Sequence, residues 1–281
     1  MRGTPAVQRT ILLFTNGQLG EYDVIDGYAL ESVDRWGGLL QKLPRIPPST
    51  VLVLEPYADR GNPPPEFWDV LGRFPSLSVV AAVPLPRVSS VELRRMQMAG
   101  VSEILNLRFA HSPALIARVA DNAFARPLKR RVDAGLSRFL MGDARVLIRG
   151  AAEAATCAGT AEELARAFGV SPPTVTKWCA ALRLPPPRRL QLWLRLVLAA
   201  QLMEDVGRSI PEAARAAGYA TDRSFRRALR DVVGENPREL RAQGAFQRVM
   251  AAFNADLREF RGQRRRPPGS ASRVLVPISS A

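Results

Sequence analysis

Arginine side chains dominate the chemistry open to this sequence, and three of them lie close together in its last quarter. Arg223, Arg226 and Arg227 surround Phe225 and Leu229, two apolar residues four positions apart. This spacing predicts a helix that buries Phe225 and Leu229 on one face and directs the arginines outward. A guanidinium group can donate two hydrogen bonds to the O6 and N7 atoms of guanine, so the segment predicts a helix that contacts bases in the major groove of DNA.

The residues around these arginines have the pattern of a helix-turn-helix. Ser209 is expected to cap a first helix, with Glu212 three residues later completing a capping box. Gly218 falls where that helix must end in a left-handed residue. Gly234 and Pro237 close the unit after the second helix. The sequence therefore predicts a complete motif that holds the arginine-bearing helix in place.

The same pattern also occurs upstream, at residues 160–187, and this upstream copy is called the first helix-turn-helix. Thr160 and Glu163 are expected to form its capping box, and Gly169 corresponds to Gly218. Cys179 aligns with Leu229 and is expected to point inward. The candidate DNA-contacting residues of the two predicted recognition helices are Pro173, Thr176 and Lys177 in the first, and Asp222, Arg223, Arg226 and Arg227 in the second. Two copies in register favour a functional repeat over a coincidence.

An apolar segment, residues 188–205, connects the two copies. It is apolar on nearly every face, which predicts a helix packed between two bodies. About 18 residues at about 1.5 Å each give a length of about 27 Å. Successive major grooves on one face of DNA are about 34 Å apart, so one chain could insert both recognition helices side by side.

This arrangement resembles the DNA-binding domain of the AraC/XylS family of transcription regulators, over about residues 143 to 242. The connecting segment matches the family pattern at Arg195, Leu196, Ala199, Leu202 and Met203, and the closing segment matches it at Gly234, Pro237, Leu240 and Arg241. The first copy departs from the pattern, because Leu184 stands where a glycine is expected and Cys179 replaces a large apolar residue. The resemblance implies a bacterial transcription regulator, with double-stranded DNA as its partner and RNA polymerase as a further candidate.

The first 125 residues have a different pattern. Short apolar runs predict buried strands, and amphipathic segments between them predict helices. The expected strands are residues 10–15, 28–33, 50–54, 77–83 and 102–107, and the expected helices are 36–43, 65–72, 90–98 and 112–124. The predicted fold is an α/β N-terminal domain with a parallel, flavodoxin-like or receiver-like sheet, followed by an all-α C-terminal domain with two helix-turn-helix units.

The N-terminal half is similar to a response-regulator receiver domain, chiefly in architecture. Residues 100–105 match a receiver pattern that enters the fifth strand, but residues 15–17 lack the acidic pair that would hold Mg²⁺. Glu55 stands at the phosphoacceptor position, and Leu107 stands near the expected lysine. The resemblance implies a degenerate, phosphorylation-independent receiver, with a homodimer through this domain as a candidate assembly. Glu55 is either an ordinary carboxylate at a strand end, which we favour, or a fixed charge that imitates phosphorylation.

The charge distribution agrees with contact to nucleic acid. The chain has 40 basic and 26 acidic residues, a formal net charge of +14. Residues 1–140 carry 17 basic and 13 acidic residues, whereas residues 141–281 carry 23 and 13. A GC-rich genome raises arginine content everywhere, and only three lysines occur here, so the asymmetry is better evidence than the total.

Enzymatic chemistry has little support in the sequence. His111 is the sole histidine, and Cys157 and Cys179 are too far apart for a Cys-x-x-Cys site. There is no glycine-rich phosphate loop. We therefore expect no catalytic residue, no metal and no cofactor. Without a signal peptide or an uncharged apolar run of about 18 residues, we expect a cytoplasmic protein with no membrane contact.

Five segments are expected in chain order: a regulatory domain, a linker helix, a DNA-binding domain, a C-terminal helix and a disordered basic tail. Their expected ranges are 1–125, 126–142, 143–242, 243–262 and 263–281. Two alternative functions stay open. One is a protein-interaction adaptor that binds DNA without sequence preference, and the other is a response regulator controlled by phosphorylation.

Overall fold

A computed structural model describes residues 9–14, 19, 22, 24–58, 61–140, 142–157 and 160–263. Residues 15–17, where the acidic pair of a receiver would stand, and the basic tail from residue 264 lie outside the described residues. The chain divides into two compact units, an N-terminal unit of Met1–Pro127 with Asp205–Arg208, and a C-terminal unit of Leu128–Glu204 with Ser209–Ala281.

A parallel sheet forms the centre of the N-terminal unit. Its described strands are β1 (Arg9–Phe14), β2 (Tyr28–Val33), β3 (Thr50–Leu54), β4 (Ser78–Val83) and β5 (Glu103–Asn106), in the order β2-β1-β3-β4-β5. All neighbouring pairs run parallel. Every residue of β3 and β4 is buried, as their continuous apolar sequences predict for central strands of such a sheet. The α/β prediction is therefore confirmed.

Helices follow the strands of this sheet. They are α1 (Trp36–Lys42), α2 (Pro65–Arg73), α3 (Ser90–Ala99) and α4 (Pro113–Ala123). Local sequence explains where they begin: Ser89 and Glu92 form a full capping box for α3, and the Ser112 hydroxyl accepts the Leu115 N–H of α4. Phe14 and Trp36 bring β1 and α1 together, with ring centroids 4.4 Å apart. The predicted helix at residues 36–43 ends at Lys42.

Segment Asp205–Arg208 belongs to the N-terminal unit although it lies far from the rest of that unit in sequence. The side chains of Asp205 and Arg208 are 0% and 2% exposed, and their closest atoms are 3.3 Å apart. Asp205 accepts the Ser76 hydroxyl at 2.5 Å, and Arg208 donates to the Ile46 carbonyl at 3.1 Å. A buried ion pair requires such additional polar partners to offset its desolvation.

The C-terminal unit is entirely helical in its described residues. Its helices are α5 (Arg126–Gly135, of which the last eight residues belong here), α6 (Asp143–Cys157), α7 (Ala161–Ala167), α8 (Pro172–Ala181), α9 (Pro187–Leu202), α10 (Ile210–Ala216), α11 (Asp222–Val233), α12 (Pro237–Ala242) and α13 (Ala245–Gln263). One continuous hydrophobic core includes residues from each of them. The linker helix expected at 126–142 thus ends at Gly135 and contributes Leu128 and Val132 to this core.

Helix α9 is the centre of this core. It is buried on nearly every face, as its sequence predicts, but it ends at Leu202 and not at residue 205. The helix ends early because Asp205 is buried in the N-terminal unit, and Gly207, with φ of 80°, turns the chain away from a helical course. Its 16 residues span about 24 Å, which is shorter than the expected 27 Å.

Helix α13 packs along α9. The rings of Trp193 and Phe253 lie 5.4 Å apart, and the Trp193 indole N–H donates to Asp256 at 2.8 Å. Phe246, Val249 and Leu257 are buried on the same face of α13. This face of α13 therefore packs against the other helices of the C-terminal unit. Across the described residues, every helix is too short or too polar to cross a membrane.

Candidate nucleic-acid interface

The second helix-turn-helix begins with a complete capping box. The Ser209 hydroxyl accepts the Glu212 N–H at 3.3 Å, and the Glu212 carboxylate accepts the Ser209 N–H at 2.7 Å. Pro211 in the first turn lacks an N–H that would have no partner within the helix in any case. Ala213 and Ala214 are fully buried, which allows close packing of α10.

The two helix-turn-helix turns have the same backbone geometry. Gly169 and Gly218 have φ values of 62° and 81°, in the region that favours glycine. In each turn, the residue after the glycine donates its N–H to the carbonyl five positions earlier, which is the hydrogen bond of a Schellman motif. These bonds join Val170 to Ala165 at 2.9 Å and Tyr219 to Ala214 at 3.0 Å. The sequence repeat is thus also a structural repeat.

Helix α11 separates an apolar face from a basic face. Phe225 and Leu229 are fully buried, and Arg223 and Arg227 are exposed. Thr221 and Ser224 form a capping box at its start, with bonds of 3.0 and 3.3 Å. Ser224 takes the position at which the usual capping-box signature has glutamate or glutamine.

The arginines of α11 are not equivalent. Arg227 is 84% exposed and lies 3.6 Å from Asp231, a pair weakened by solvent. Arg226 is held more firmly, because its Nε lies 2.6 Å from one carboxylate oxygen of Asp222. The other oxygen, Oδ1, is buried and accepts no hydrogen bond from the described residues. Asp222 therefore orients Arg226 in the free chain.

Arg195 connects α9 to the second turn and was not among the predicted site residues. Its Nε donates to the Ala217 carbonyl at 3.0 Å, and a second N–H donates to the Gly218 carbonyl. Its guanidinium lies 4.3 Å above the centre of the Tyr219 ring. Burial raises the pKa of Tyr219 to about 12, so this phenol stays neutral. Arg195 thereby fixes the turn that precedes α11.

The first helix-turn-helix presents fewer charges. Val175 and Cys179 of α8 are buried, and Pro173, Thr176 and Lys177 are exposed. The Thr176 hydroxyl is 3.2 Å from the Pro172 carbonyl, to which it donates. Burial raises the pKa of Cys179 to about 12, so the thiol is protonated at neutral pH and acts as a core residue.

The capping box predicted for the first helix-turn-helix is only half formed. Thr160 accepts the Glu163 N–H at 3.1 Å, but within the described residues the Glu163 carboxylate does not bond back to Thr160. It faces Arg166 at 3.6 Å instead, and burial raises the pKa of Glu163. The first helix-turn-helix therefore has the Thr160 half of the capping box without the Glu163 half.

In the turn after α8, the left-handed residue does not lie at position 184, where the family pattern expects a glycine. The left-handed residue there is Arg183, with φ of 54°, because α8 ends at Ala181. Leu184 is buried and donates its N–H to the Cys179 carbonyl at 2.8 Å. In the second helix-turn-helix, Gly234 has φ of 80° and directly follows the last residue of α11. The missing glycine is therefore compensated one residue earlier, at the cost of a left-handed arginine.

The closing helix α12 is positioned by its own cap. The Asn236 side chain accepts N–H groups of Arg238 and Glu239, both at 3.0 Å, and Pro237 occupies the first helical turn. Leu240 is fully buried in the shared core. Pro237 thus lies where the sequence pattern expects the unit to close.

Residues 164–243 match a family model described as a helix-turn-helix domain. The match supports an AraC-type DNA-binding domain, and with it a DNA-binding transcription regulator. It runs from α7 to the end of α12, and so begins later than the residue 143 expected from sequence. No curated protein and no solved structure matches the chain.

In the N-terminal unit, Glu55 directly follows β3. Its side chain is buried, and one carboxylate oxygen accepts the Leu19 N–H at 3.3 Å. Among the described residues, no group of three or more histidine, cysteine, aspartate or glutamate side chains could hold a metal ion.

Proposed function

We propose that this chain is a sequence-specific transcription regulator whose helices α8 and α11 enter successive segments of the DNA major groove. The observation that carries the proposal is the division of α11 into a fully buried face, formed by Phe225 and Leu229, and an exposed face with Arg223 and Arg227. Exposed arginines on the second helix of a helix-turn-helix are suited to donate to guanine.

Two features support insertion of both helices by one chain. Val175 of α8 and Phe225 of α11 belong to the same core as α9, so the recognition helices are fixed relative to each other. The connecting helix α9 is about 24 Å long, to which the flanking turns add distance, and successive major grooves are about 34 Å apart.

The two helix-turn-helix units contribute unequally in this proposal. Pro172 and Pro173 remove two N–H donors from the start of α8, which could otherwise have met phosphate oxygens. Lys177 is the one basic side chain of α8. The second unit therefore supplies most base recognition, through Arg223 and Arg227. The first unit mainly fixes the position of the chain along the DNA.

The N-terminal unit acts in this proposal as a regulatory or dimerisation domain that does not depend on phosphorylation. Glu55 is 3% exposed and already accepts a backbone N–H, so a phosphoryl donor has little access to its carboxylate. Its parallel sheet supplies a stable scaffold for either role.

Selection of bound duplexes from a random DNA library tests this function. We expect the wild-type chain at physiological salt to enrich a site with two elements about one helical turn apart. Arg227→Ala should weaken binding to that site by about 1–3 kcal/mol and relax the preference at one base.

Arg118→Ala is the matched control, because Arg118 is an exposed arginine of α4, outside the proposed interface. It should leave base preference unchanged. Salt-sensitive binding without any enriched sequence would refute the proposal and favour an adaptor that binds DNA without sequence preference.

A further inference from the structure

A cavity of about 290 Å³ lies within the N-terminal unit, at the carboxyl ends of β3, β4 and β5. Glu55 and Tyr57, which follow β3, form one side, and Arg87 and Arg108 come from the segments after β4 and β5. In open α/β sheets, ligands bind outside the carboxyl ends of the strands. The volume is at the lower end of the range for ligand sites, about 300 Å³, and so suits a small molecule.

Two arginines give this cavity its chemical character. Arg87 and Arg108 are exposed, come from different loops, and form no ion pair within the described part of the chain. Because both arginines line one cavity, an anion bound there can contact two guanidinium groups. The planar, two-pronged donor geometry of arginine fits phosphate especially well.

The backbone holds both arginines in place. Arg87 ends a short 3₁₀ helix, Leu85–Arg87, whose flanking Pro84 and internal Pro86 restrict the chain, and the Arg87 N–H donates to the Pro84 carbonyl at 2.7 Å. The Arg108 N–H donates to the Asn106 side chain at 3.1 Å. Because the backbone of these loops is already ordered, ligand binding has to immobilise only the arginine side chains.

We infer that this cavity reversibly binds a small molecule bearing a phosphate group, with Arg87 and Arg108 as its phosphate-binding residues. Glu55 also lines the cavity, but its side chain is buried, so Arg87 and Arg108 carry the recognition of the ligand. This inference does not rest on the proposed DNA recognition, since it concerns residues of the N-terminal unit alone.

Isothermal titration of the full chain with glycerol 3-phosphate at physiological salt tests the inference. We expect saturable binding of one molecule per chain, with no comparable signal from glycerol. The double variant Arg87→Ala with Arg108→Ala should weaken this binding by about tenfold or more, because each loses charge-assisted hydrogen bonds. Both side chains are exposed, so the variant should fold normally.

The matched control removes two exposed arginines of the same unit, by Arg94→Ala with Arg118→Ala. It should leave the affinity unchanged. Equal weakening in both double variants would overturn the site, because phosphate would then bind the basic surface at large. Undiminished binding by the Arg87→Ala, Arg108→Ala variant would overturn it as well. Absence of saturable binding, or tighter binding of malonate than of glycerol 3-phosphate, would also overturn it.

Discussion

Gly150, in the interior of α6, provides the sharpest test of how the first helix-turn-helix is packed. A Cβ atom at this position would lie 2.3 and 2.4 Å from two carbons of the Phe168 ring. The ring cannot easily withdraw, because Phe168 is buried and packs edge-on against Trp178 of α8, with centroids 5.8 Å apart. Gly150→Ala therefore forces α6, Phe168 or α8 to move.

Two opposing effects decide the size of this change. Replacing an interior helical glycine by alanine gains about 1 kcal/mol of helix propensity. Overpacking a core costs about 1–3 kcal/mol, and a contact more than about 1 Å closer than the normal carbon separation belongs at the upper end. We therefore expect Gly150→Ala to lower the free energy of unfolding by about 2 kcal/mol.

Urea unfolding followed by tryptophan fluorescence measures this change, since Trp178 and Trp193 both lie in the C-terminal unit. Gly262→Ala in α13 is the control. Apart from its own helix backbone, no atom of the described residues lies within 4 Å of the added Cβ, so the variant should be neutral or slightly stabilising. In a Phe168→Leu background, Gly150→Ala should lower the free energy of unfolding much less. A Gly150→Ala protein as stable as wild type would refute this packing of α6 against Phe168.

Two further predictions concern the helix α8 and the turn that follows it. Arg183→Gly should raise the free energy of unfolding by about 1 kcal/mol, because glycine adopts the left-handed φ of 54° without strain. Arg183→Ala should not stabilise the chain. Urea unfolding of both variants checks this prediction, and equal stability of the two would contradict it. Burial raises the pKa of Cys179 to about 12, so its thiol should resist alkylation. In a Cys157→Ser variant at pH 8, iodoacetamide should therefore label Cys179 only after urea unfolds the chain. Rapid labelling of the native protein would show that α8 does not bury this thiol.

Periodic patterns made much of the fold predictable. The four-residue spacing of Phe225 and Leu229 determines which face of α11 is buried, and the arginines between them are then exposed or paired on its flank. The apolar runs at β3 and β4 likewise predict buried strands of a parallel sheet. These features depend on local sequence alone, so a single chain contains enough information to predict them.

Features that depend on distant residues were not predictable. Asp205 looks like the end of an apolar helix, but Ser76 and the rest of the N-terminal unit determine its position. The end of α8 at Ala181 likewise places Arg183, and not Leu184, in the left-handed position. Helix propensity and apolar spacing do not predict the end of a helix to within one residue.

Asp222 shows a similar limit within the candidate site. Its position in the first turn of α11 predicts contact with DNA, which stays a prediction. In the free chain its carboxylate accepts from Arg226, and its second oxygen is buried. Spacing predicts that residues 222 and 226 are neighbours on the helix. It does not predict whether their side chains pair with each other or with an external partner.

Hydroxyl-radical footprinting on the selected duplex tests the central claim most directly. Insertion of α8 and α11 by one chain predicts two protected segments on the same face of the DNA, about one helical turn apart, at a stoichiometry of one chain per site. Lys177→Ala should weaken protection of one segment and Arg227→Ala that of the other. A single protected segment, or two segments that appear only when two chains are bound, would contradict the account.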